Sequence, residues 1–377
     1  MPPEMFIGRK AELEKIKDPA GVNILYGGRQ LGKSALLRKA KADIDRDPEG
    51  DRALLIDIKD LDYEKTAVKI SQALFDEGII NEPIDDETSW DDIARAIRKV
   101  LNGSHKIHYL LLMLDEADAF LASCEEVGYS PFNALKDIQQ NVEPGRFKFV
   151  VAGLRNVVRF TKAATSGNSV LPHLESLTIK PFTTVEGRML LEEPLYYLGF
   201  RFPEENMDLV PMILATTNYF PGLIQLYCSK LITALRNNYG GYNEAETPPY
   251  VVSEELIKKV LAESDFRAQI REKFMITLML GDDDYYYILA LILAYLYRNY
   301  DSEDGYTAAE ILDVAKEFEI SRIADMTVEQ VQALMTELRE LNVVKEAGHK
   351  YLFARYNFSS MLGSAEEVDD KLLSYTE

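Results

Sequence analysis

The residues of this chain that are best suited to chemistry form one short, glycine-rich stretch. Residues 27–34 read Gly-Gly-Arg-Gln-Leu-Gly-Lys-Ser and match the spacing G-x-x-x-x-G-K-S/T. Glycines let successive backbone N–H groups curl around an anion without Cβ clashes, and a helix N-terminus adds partial positive charge. In such a loop the ammonium of Lys33 reaches the β- and γ-phosphates of a nucleotide, and the hydroxyl of Ser34 binds Mg²⁺.

The surroundings of this stretch, which we call the phosphate loop, fit the motif. An apolar, β-prone run at 22–26 precedes it, and a helix is predicted over 35–42. Strand, loop and helix in that order are the context in which the pattern binds phosphate. The residues predicted to bind nucleotide here are Gly27, Gly28, Arg29, Gln30, Leu31, Gly32, Lys33, Ser34 and Ala35.

A second candidate feature is a pair of acids after a wholly apolar run. Residues 110–114 are followed by Asp115 and Glu116. Side chains at the carboxyl tip of a parallel strand face the ligand crevice. Asp115 is therefore predicted to hold Mg²⁺ through water, and Glu116 to act as the general base that activates the attacking water. The plainer alternative is an ordinary strand followed by a polar helix cap.

The elements that must position these residues are strand-like runs alternating with helical segments. The runs lie at 22–26, 53–58, 109–114, 147–152 and 177–179. Continuous apolar strands separated by helices predict an α/β fold with a mostly parallel sheet covered on both faces. The run at 53–58 lies between the two motif strands in the sequence, which indicates that an extra strand separates them in the sheet. With Glu116 beside Asp115, this arrangement looks like the additional-strand, catalytic-glutamate division of P-loop NTPases.

The chain changes character after residue 180, where the strand signal fades. We predict a P-loop nucleotide-binding domain over 1–180, a helical lid over 181–270 and a winged-helix domain over 271–360. The last assignment depends on the order of three helices followed by a hairpin. The final segment, 361–377, is predicted to be an acidic, loosely held tail, because residues 363–377 carry five acids and one lysine.

Composition limits the classes of function. The 377 residues include 42 Lys and Arg against 62 Asp and Glu, a formal charge of −20, which disfavours a main role in gripping nucleic-acid phosphates. Two cysteines cannot build a disulfide framework. The longest apolar run, 285–297, is shorter than the ~20 residues that a membrane span needs. With no signal peptide in the sequence, we expect a soluble, cytoplasmic protein that has no membrane partner.

The start of the chain carries a family resemblance. Residues 6–13, Phe-Ile-Gly-Arg-Lys-Ala-Glu-Leu, resemble the F-x-G-R-x-x-E-L motif of AAA+-related ATPases. This motif is shared by the STAND clade of signal-transduction ATPases and by the origin-recognition ATPases. In those families the segment packs near adenine, so the resemblance implies that Ile7, Gly8 and Arg9 contact the base.

Two further stretches resemble the same families. The fourth strand ends just before Arg155, which the resemblance makes a candidate γ-phosphate sensor, with Asn156 as the alternative. Residues 216–225 are similar to the G-G-x-P turn of the STAND lid and imply that Pro221 contacts the base, although Asn218 and Tyr219 replace the glycines. Residues 170–176 contain no arginine finger, as is general in STAND proteins.

Together these motifs predict a STAND-type molecular switch that binds ATP or ADP with Mg²⁺ and hydrolyses ATP slowly. Its catalytic residues are predicted to be Glu116, Lys33 and Arg155. The resemblance implies a protein effector or sensor on a separate chain, and a homo-oligomer is a further possibility. A non-hydrolysing scaffold that uses nucleotide for structural integrity stays open.

The alternative function is a DNA-associated AAA+ ATPase (an initiator, loader or transposition regulator) that uses the winged helix. Its presumed recognition helix, 327–341, has a net charge of −2, which disfavours contact with phosphates. The predicted wing is mildly basic, with Lys345, His349, Lys350 and Arg355.

Overall fold

The computed structural model describes residues 6–46, 50–82, 88–103, 107–154, 174–237, 249–280, 283–300 and 302–376. They divide into two compact units. The first comprises 6–27 with 32–179, and the second comprises 28–31 with 180–376. The boundaries that the sequence predicts at 270 and 360, inside the second unit, stay predictions.

The first unit is built on a five-stranded parallel sheet in the order β2-β3-β4-β1-β5. Its strands are β1 (Ile24–Tyr26), β2 (Arg52–Asp57), β3 (Leu110–Asp115), β4 (Phe147–Gly153) and β5 (Ser176–Thr178). The predicted α/β fold is thereby confirmed, as is the extra strand between the two motif strands. That strand is β4, whereas β2, which lies between them in the sequence, forms an edge of the sheet.

Six helices of the first unit complete the described fold around this sheet. They are α1 (Lys10–Lys17), α2 (Lys33–Ile44), α3 (Tyr63–Asp76), α4 (Trp90–Gly103), α5 (Asp118–Glu126) and α6 (Ser130–Asn141). Every residue of β3 and β4 is buried, as expected for central strands of a parallel sheet with both faces covered. The start of α4 is fixed by Ser89, whose hydroxyl accepts a hydrogen bond from the backbone N–H of Asp92.

A buried lysine attaches α1 to the sheet. Lys148 on β4 is fully buried, and its ammonium donates hydrogen bonds to the carbonyl oxygens of Lys15 at 2.8 Å and Asp18 at 2.6 Å. Burial lowers the pKa of this amine to about 8, although Asp18 and Glu175 act in the opposite direction. The carbonyl groups at the end of α1 are therefore satisfied by the ammonium of Lys148, whose burial costs free energy.

The second unit begins with helices and a small two-stranded parallel sheet, β6–β7. Its elements up to residue 278 are α7 (Thr184–Tyr197), β6 (Phe200–Arg201), α8 (Leu209–Thr216), α9 (Pro221–Arg236), β7 (Tyr250–Val251), α10 (Glu254–Ala262) and α11 (Ser264–Leu278). Thr183 and Glu186 form a reciprocal capping box that fixes the start of α7.

The rest of the second unit packs around one apolar helix, α12 (Tyr285–Asn299), most of whose residues are buried. The remaining elements are β8 (Tyr306–Thr307), α13 (Ala308–Glu317), α14 (Ser321–Ala324), α15 (Val328–Glu340), β9 (Val344–Ala347), β10 (Lys350–Phe353), α16 (Phe358–Met361) and α17 (Ala365–Leu373). Strands β8, β10 and β9 form an antiparallel sheet. None of the helices within the described ranges combines the length and apolarity that a membrane span requires.

The end of the chain differs from its prediction as a loose tail. Residues 365–373 form α17, which begins with a capping box between Ser364 and Glu367. Val368 and Leu372, one helical turn apart, are buried in the same apolar core as α12. The acids occupy the other faces of the helix, so a high local charge did not prevent it from packing.

Candidate functional site

The best-defined feature of the candidate site is the position of Lys33. Its ammonium donates a hydrogen bond of 2.8 Å to the carbonyl oxygen of Gly27, and the side chain is buried. Lys33 is the first residue of α2, so its side chain turns back toward the strand side of the phosphate loop. A cation is therefore held beside the loop, where a phosphate would need it.

Two glycines of the loop have backbone conformations that L-residues rarely adopt. Gly27 has φ 153° and Gly32 has φ 88°. A Cβ on Gly27 would lie 2.5 Å from the carbonyl oxygen of Ile179, whereas one on Gly32 would meet no atom within 4 Å. A glycine is thus needed at position 27 because the carbonyl oxygen of Ile179 leaves no room for a Cβ. At position 32 there is room for a Cβ, and the glycine is needed for its left-handed backbone conformation.

The start of α2 is suited to an anion. Gly32 is its N-cap and, as a glycine, has no side chain with which to cap the first-turn N–H groups. Half-buried Ser34 and Ala35 occupy that first turn, beside Lys33. First-turn amides, the helix dipole and an ammonium converge on one place, which is the arrangement that binds phosphate.

The two predicted acids lie at the carboxyl end of β3. Asp115 is buried, and one of its carboxylate oxygens accepts a hydrogen bond of 3.1 Å from the backbone N–H of Glu116. Glu116 adopts a left-handed conformation, φ 57°, which turns the chain out of the strand. Strands β1 and β3 run parallel with β4 between them. Their carboxyl ends therefore lie at the same edge of the sheet, about 10 Å from each other. The structure brings the phosphate loop and both acids to that edge.

Sequence reasoning missed one acid near this edge. Asp118, the first residue of α5, accepts a hydrogen bond of 2.7 Å from the backbone N–H of Leu154 at the end of β4. Asp118 could have been identified from the sequence, because it comes three residues after Asp115, where a helix is expected to begin, and acids are common in the first turn of a helix. Arg155 and Asn156, the predicted sensor residues, lie outside the described residues.

The predicted base-contacting segment at the start of the chain forms a tight turn into α1. Gly8 and Arg9 are both left-handed, with φ values of 74° and 57°. Arg9 is buried, and its guanidinium pairs with Glu12 at 3.3 Å. Ile7 is half-buried. The structure thus explains why a glycine and an arginine stand here, and the contact of these residues with adenine stays a prediction.

Four residues of the phosphate loop, 28–31, group with the second unit. The carbonyl oxygen of Gln30 accepts a hydrogen bond of 3.1 Å from the backbone N–H of Gly222, which follows Pro221 at the start of α9. A Cβ on Gly28 would lie 2.6 Å from the carbonyl oxygen of Leu341. Gly28 is therefore needed to let the chain pass the end of α15.

The turn before Pro221 is made without glycine. Asn218 and Tyr219 adopt left-handed conformations, with φ values of 55° and 60°. The sequence alone did not predict this conformation, because Asn218 and Tyr219 stand where the G-G-x-P turn of the STAND lid has glycines. Both take the conformation that glycine would adopt freely, at a cost of roughly 1–2 kcal/mol each. Pro221 is buried as the first residue of α9, and its contact with the base stays a prediction.

The donor set at this edge fits Mg²⁺, which prefers hard oxygen ligands. Ser34 offers a hydroxyl and Asp115 a carboxylate, and a phosphate-loop Mg²⁺ takes its other ligands from phosphates and water. Over the described ranges, no group of three or more His, Cys, Asp and Glu side chains is arranged to hold a metal by itself.

The sheet order and the phosphate loop match the α/β fold of P-loop proteins of the AAA+-like type. Solved structures share it: a Walker-type ATPase of Pyrococcus abyssi matches with a TM-score of 0.61 at 15% identity, covering 95% of this chain and 96% of that one. The Aeropyrum pernix ORC2 protein, solved in ADPNP–ADP complexes, matches with a TM-score of 0.57 at 15% identity, covering 97% of this chain and 94% of its own. At such identities the likeness concerns the fold alone. No protein-family model and no curated protein matches the sequence.

Proposed function

We propose that this chain binds ATP with Mg²⁺ and hydrolyses the bond between its β- and γ-phosphates. The observation that carries the proposal is the buried ammonium of Lys33, which donates a hydrogen bond to the carbonyl oxygen of Gly27 at the glycine-capped start of α2. The ADPNP–ADP complexes of the ORC2 protein, which has the same fold, support nucleotide as the ligand.

Each residue at the edge of the sheet then has a chemical role. The loop amides and Lys33 bind the phosphates, while Ser34 and Asp115 hold Mg²⁺, which neutralises the developing negative charge when bound. Glu116 accepts a proton from the water whose oxygen attacks the γ-phosphorus, and ADP leaves with the bridging oxygen. We propose that Arg155 responds to the γ-phosphate and that Ile7, Gly8, Arg9 and Pro221 contact the base. Turnover is proposed to be slow, since residues 170–176 contain no arginine to stabilise the transition state.

Isothermal titration with ATP tests the proposal. The wild type is expected to bind, and Lys33→Ala is expected to lose most of the binding, because the ammonium is the main charge that faces the phosphates. Lys39→Ala is the matched control, since Lys39 lies on the same helix but pairs with Asp43 at 2.6 Å. No heat of binding in the wild type, or equal binding in the two variants, would refute the proposal.

Of the two larger roles, the DNA-associated one has more support. The fold match to the ORC2 protein extends over 97% of this chain and so includes the second unit. We propose that α12 to β10 form a winged helix that meets duplex DNA. A gel shift with duplex DNA at about 50 mM salt tests this, because phosphate contacts are strongest at low salt. Absence of a shift there would reject duplex binding.

The STAND-type switch is the other proposed role. In it, nucleotide state controls the docking of a protein effector or sensor on a separate chain, or of further copies of this chain. The missing arginine finger supports it from the sequence. Analysis of what co-purifies with the chain separates the roles: a second polypeptide released on changing ADP for ATP favours the switch, and bound nucleic acid favours the DNA-associated role.

A further inference from the structure

A groove of about 480 Å³ lies in the second unit, within the segment proposed to form the winged helix. Its walls are the C-terminal end of α12, the β9–β10 hairpin and the residues that lead from β10 to α16. We call it the tyrosine groove, because Tyr297, Tyr300 and Tyr356 line it. Its volume is in the range of pockets that bind ligands.

The three tyrosines are unusually exposed for large side chains. Tyr297 is 45% exposed, Tyr300 52% and Tyr356 91%. None of their rings stacks on another aromatic ring among the described residues. A substantial part of each ring is therefore accessible to solvent, and aromatic stacking does not account for three phenol rings around one groove.

The groove also contains two cations that form no ion pair within the part of the chain that the structure describes. They are Lys345 on β9 and Arg355 after β10. By contrast, Arg339 on neighbouring α15 pairs with Glu340 and Glu346. One carboxylate, that of Glu303, is among the described residues that line the groove. In a chain with a net charge of −20, an aromatic groove that carries two such cations is distinctive.

The guanidinium of Arg355 packs against an aromatic ring. It lies 5.2 Å from the ring centroid of Tyr219, within the range of a cation–π contact. Burial lowers the pKa of Arg355, although Tyr219 acts in the opposite direction. A partly desolvated guanidinium with several planar hydrogen-bond donors is suited to a phosphate.

We propose that the tyrosine groove binds single-stranded nucleic acid, with bases stacked on Tyr297, Tyr300 and Tyr356 and phosphates on Lys345 and Arg355. Open aromatic faces and a cationic track are the combination that binds unpaired strands without sequence preference. A duplex keeps its base faces stacked and cannot use the tyrosines. The proposal is independent of ATP binding and concerns a different ligand from the duplex considered for the winged helix.

Fluorescence anisotropy of a labelled oligothymidylate of about 20 nucleotides, titrated with the full chain at about 50 mM salt, tests the proposal. Wild type is expected to bind, and each of Tyr297→Ala, Tyr300→Ala and Tyr356→Ala is expected to weaken binding roughly 5- to 150-fold. Tyr356→Phe keeps the ring and is expected to bind as wild type does. The matched control is Tyr197→Ala, because Tyr197 is an 85% exposed tyrosine on α7.

Salt dependence tests the cations separately. Lys345→Ala is expected to reduce the slope of log affinity against log salt by about 0.7, the value for one single-strand phosphate contact. Lys10→Ala, at an exposed lysine on α1, is expected to leave the slope unchanged. An oligouridylate of the same length is expected to bind equally, since stacking does not require a particular sugar.

Several results would overturn the proposal. One is the absence of oligothymidylate binding by the wild type. Another is a loss of affinity that is the same for Tyr197→Ala as for the three groove variants. Tyrosine-dependent binding of a labelled oligoproline, without oligonucleotide binding, would assign the groove to a protein partner instead, since aromatic grooves also take proline-rich segments.

Discussion

The ammonium of Lys33 and the carbonyl oxygen of Gly27 lie 2.8 Å apart, although the two residues are six positions apart in the chain. The hydrogen bond closes the phosphate loop on its own first residue. A bound phosphate would take over part of this interaction, so the loop is preorganised and needs little rearrangement to accept an anion.

The close approach at Gly27 predicts an unequal effect of two alanine substitutions. Gly27→Ala places a methyl group 2.5 Å from the carbonyl oxygen of Ile179, whereas Gly78→Ala at φ 65° meets no atom within 4 Å. Both variants pay roughly 1 kcal/mol for the backbone conformation. Gly27→Ala is expected to lose clearly more, both in urea unfolding and in ATP affinity. Equal losses would mean that the backbone of the loop does not approach Ile179 as described.

The position of Glu116 predicts that binding and turnover can be separated. Glu116→Gln keeps the shape of the side chain but removes the base, so ATP binding is expected to persist while hydrolysis falls by roughly 100-fold or more. Phosphate release and isothermal titration measure the two quantities. Asp91→Asn, at an exposed acid on α4, serves as the control for loss of one negative charge. Unchanged hydrolysis in Glu116→Gln would remove this residue from the mechanism, and a wild type without turnover would favour a non-hydrolysing scaffold.

Lys148 predicts a specific pH dependence of stability. In the folded chain its pKa is about 8, below the 10.5 of an ordinary lysine, so between these values the folded chain binds fewer protons than the unfolded one. The free energy of unfolding should therefore rise with pH across this window, by up to about 1.4 kcal/mol per pH unit. Below about pH 8 the full cost of burying the charge is present.

Lys148→Met separates this effect from other titrations. The difference in unfolding free energy between wild type and Lys148→Met, measured in urea, should shift in favour of the wild type as pH rises above about 8. Parallel curves for the two proteins over this window would show that the amine stays charged in the folded chain.

The helix at the end of the chain predicts opposite results for two adjacent leucines. Leu372 is buried in the core around α12, and Leu373 is exposed. Leu372→Ala is expected to lower the free energy of unfolding by about 2–4 kcal/mol, and Leu373→Ala by less than about 0.5 kcal/mol. Thermal or urea unfolding of both variants measures this. Similar small losses would restore the expectation of a loose tail.

The parts of the fold that the sequence predicted depend on local patterns. The phosphate loop needs only a strand, glycines and a helix in immediate succession. The apolar run before Asp115 likewise predicted a buried central strand. In each case neighbouring residues determine the structure.

The parts that the sequence could not predict depend on long-range packing. Nothing local specifies that β4 inserts between β1 and β3, or that Asn218 and Tyr219 hold left-handed conformations against their own preference. The final helix was missed because five acids obscured the spacing of Val368 and Leu372. Its stability comes from an apolar surface about seventy residues earlier in the chain, which composition does not reveal.

The hydrogen bond between Asp118 and Leu154 has a mechanical consequence. Together with the bond from the N–H of Ala117 to the carbonyl oxygen of Ala152, at 2.9 Å, it fastens the tips of β3 and β4 to each other just beyond the sheet. Glu116 lies between the end of β3 and these two bonds, so its left-handed turn is connected directly to the end of β4. A change of backbone conformation at Glu116 is therefore expected to displace Leu154 as well.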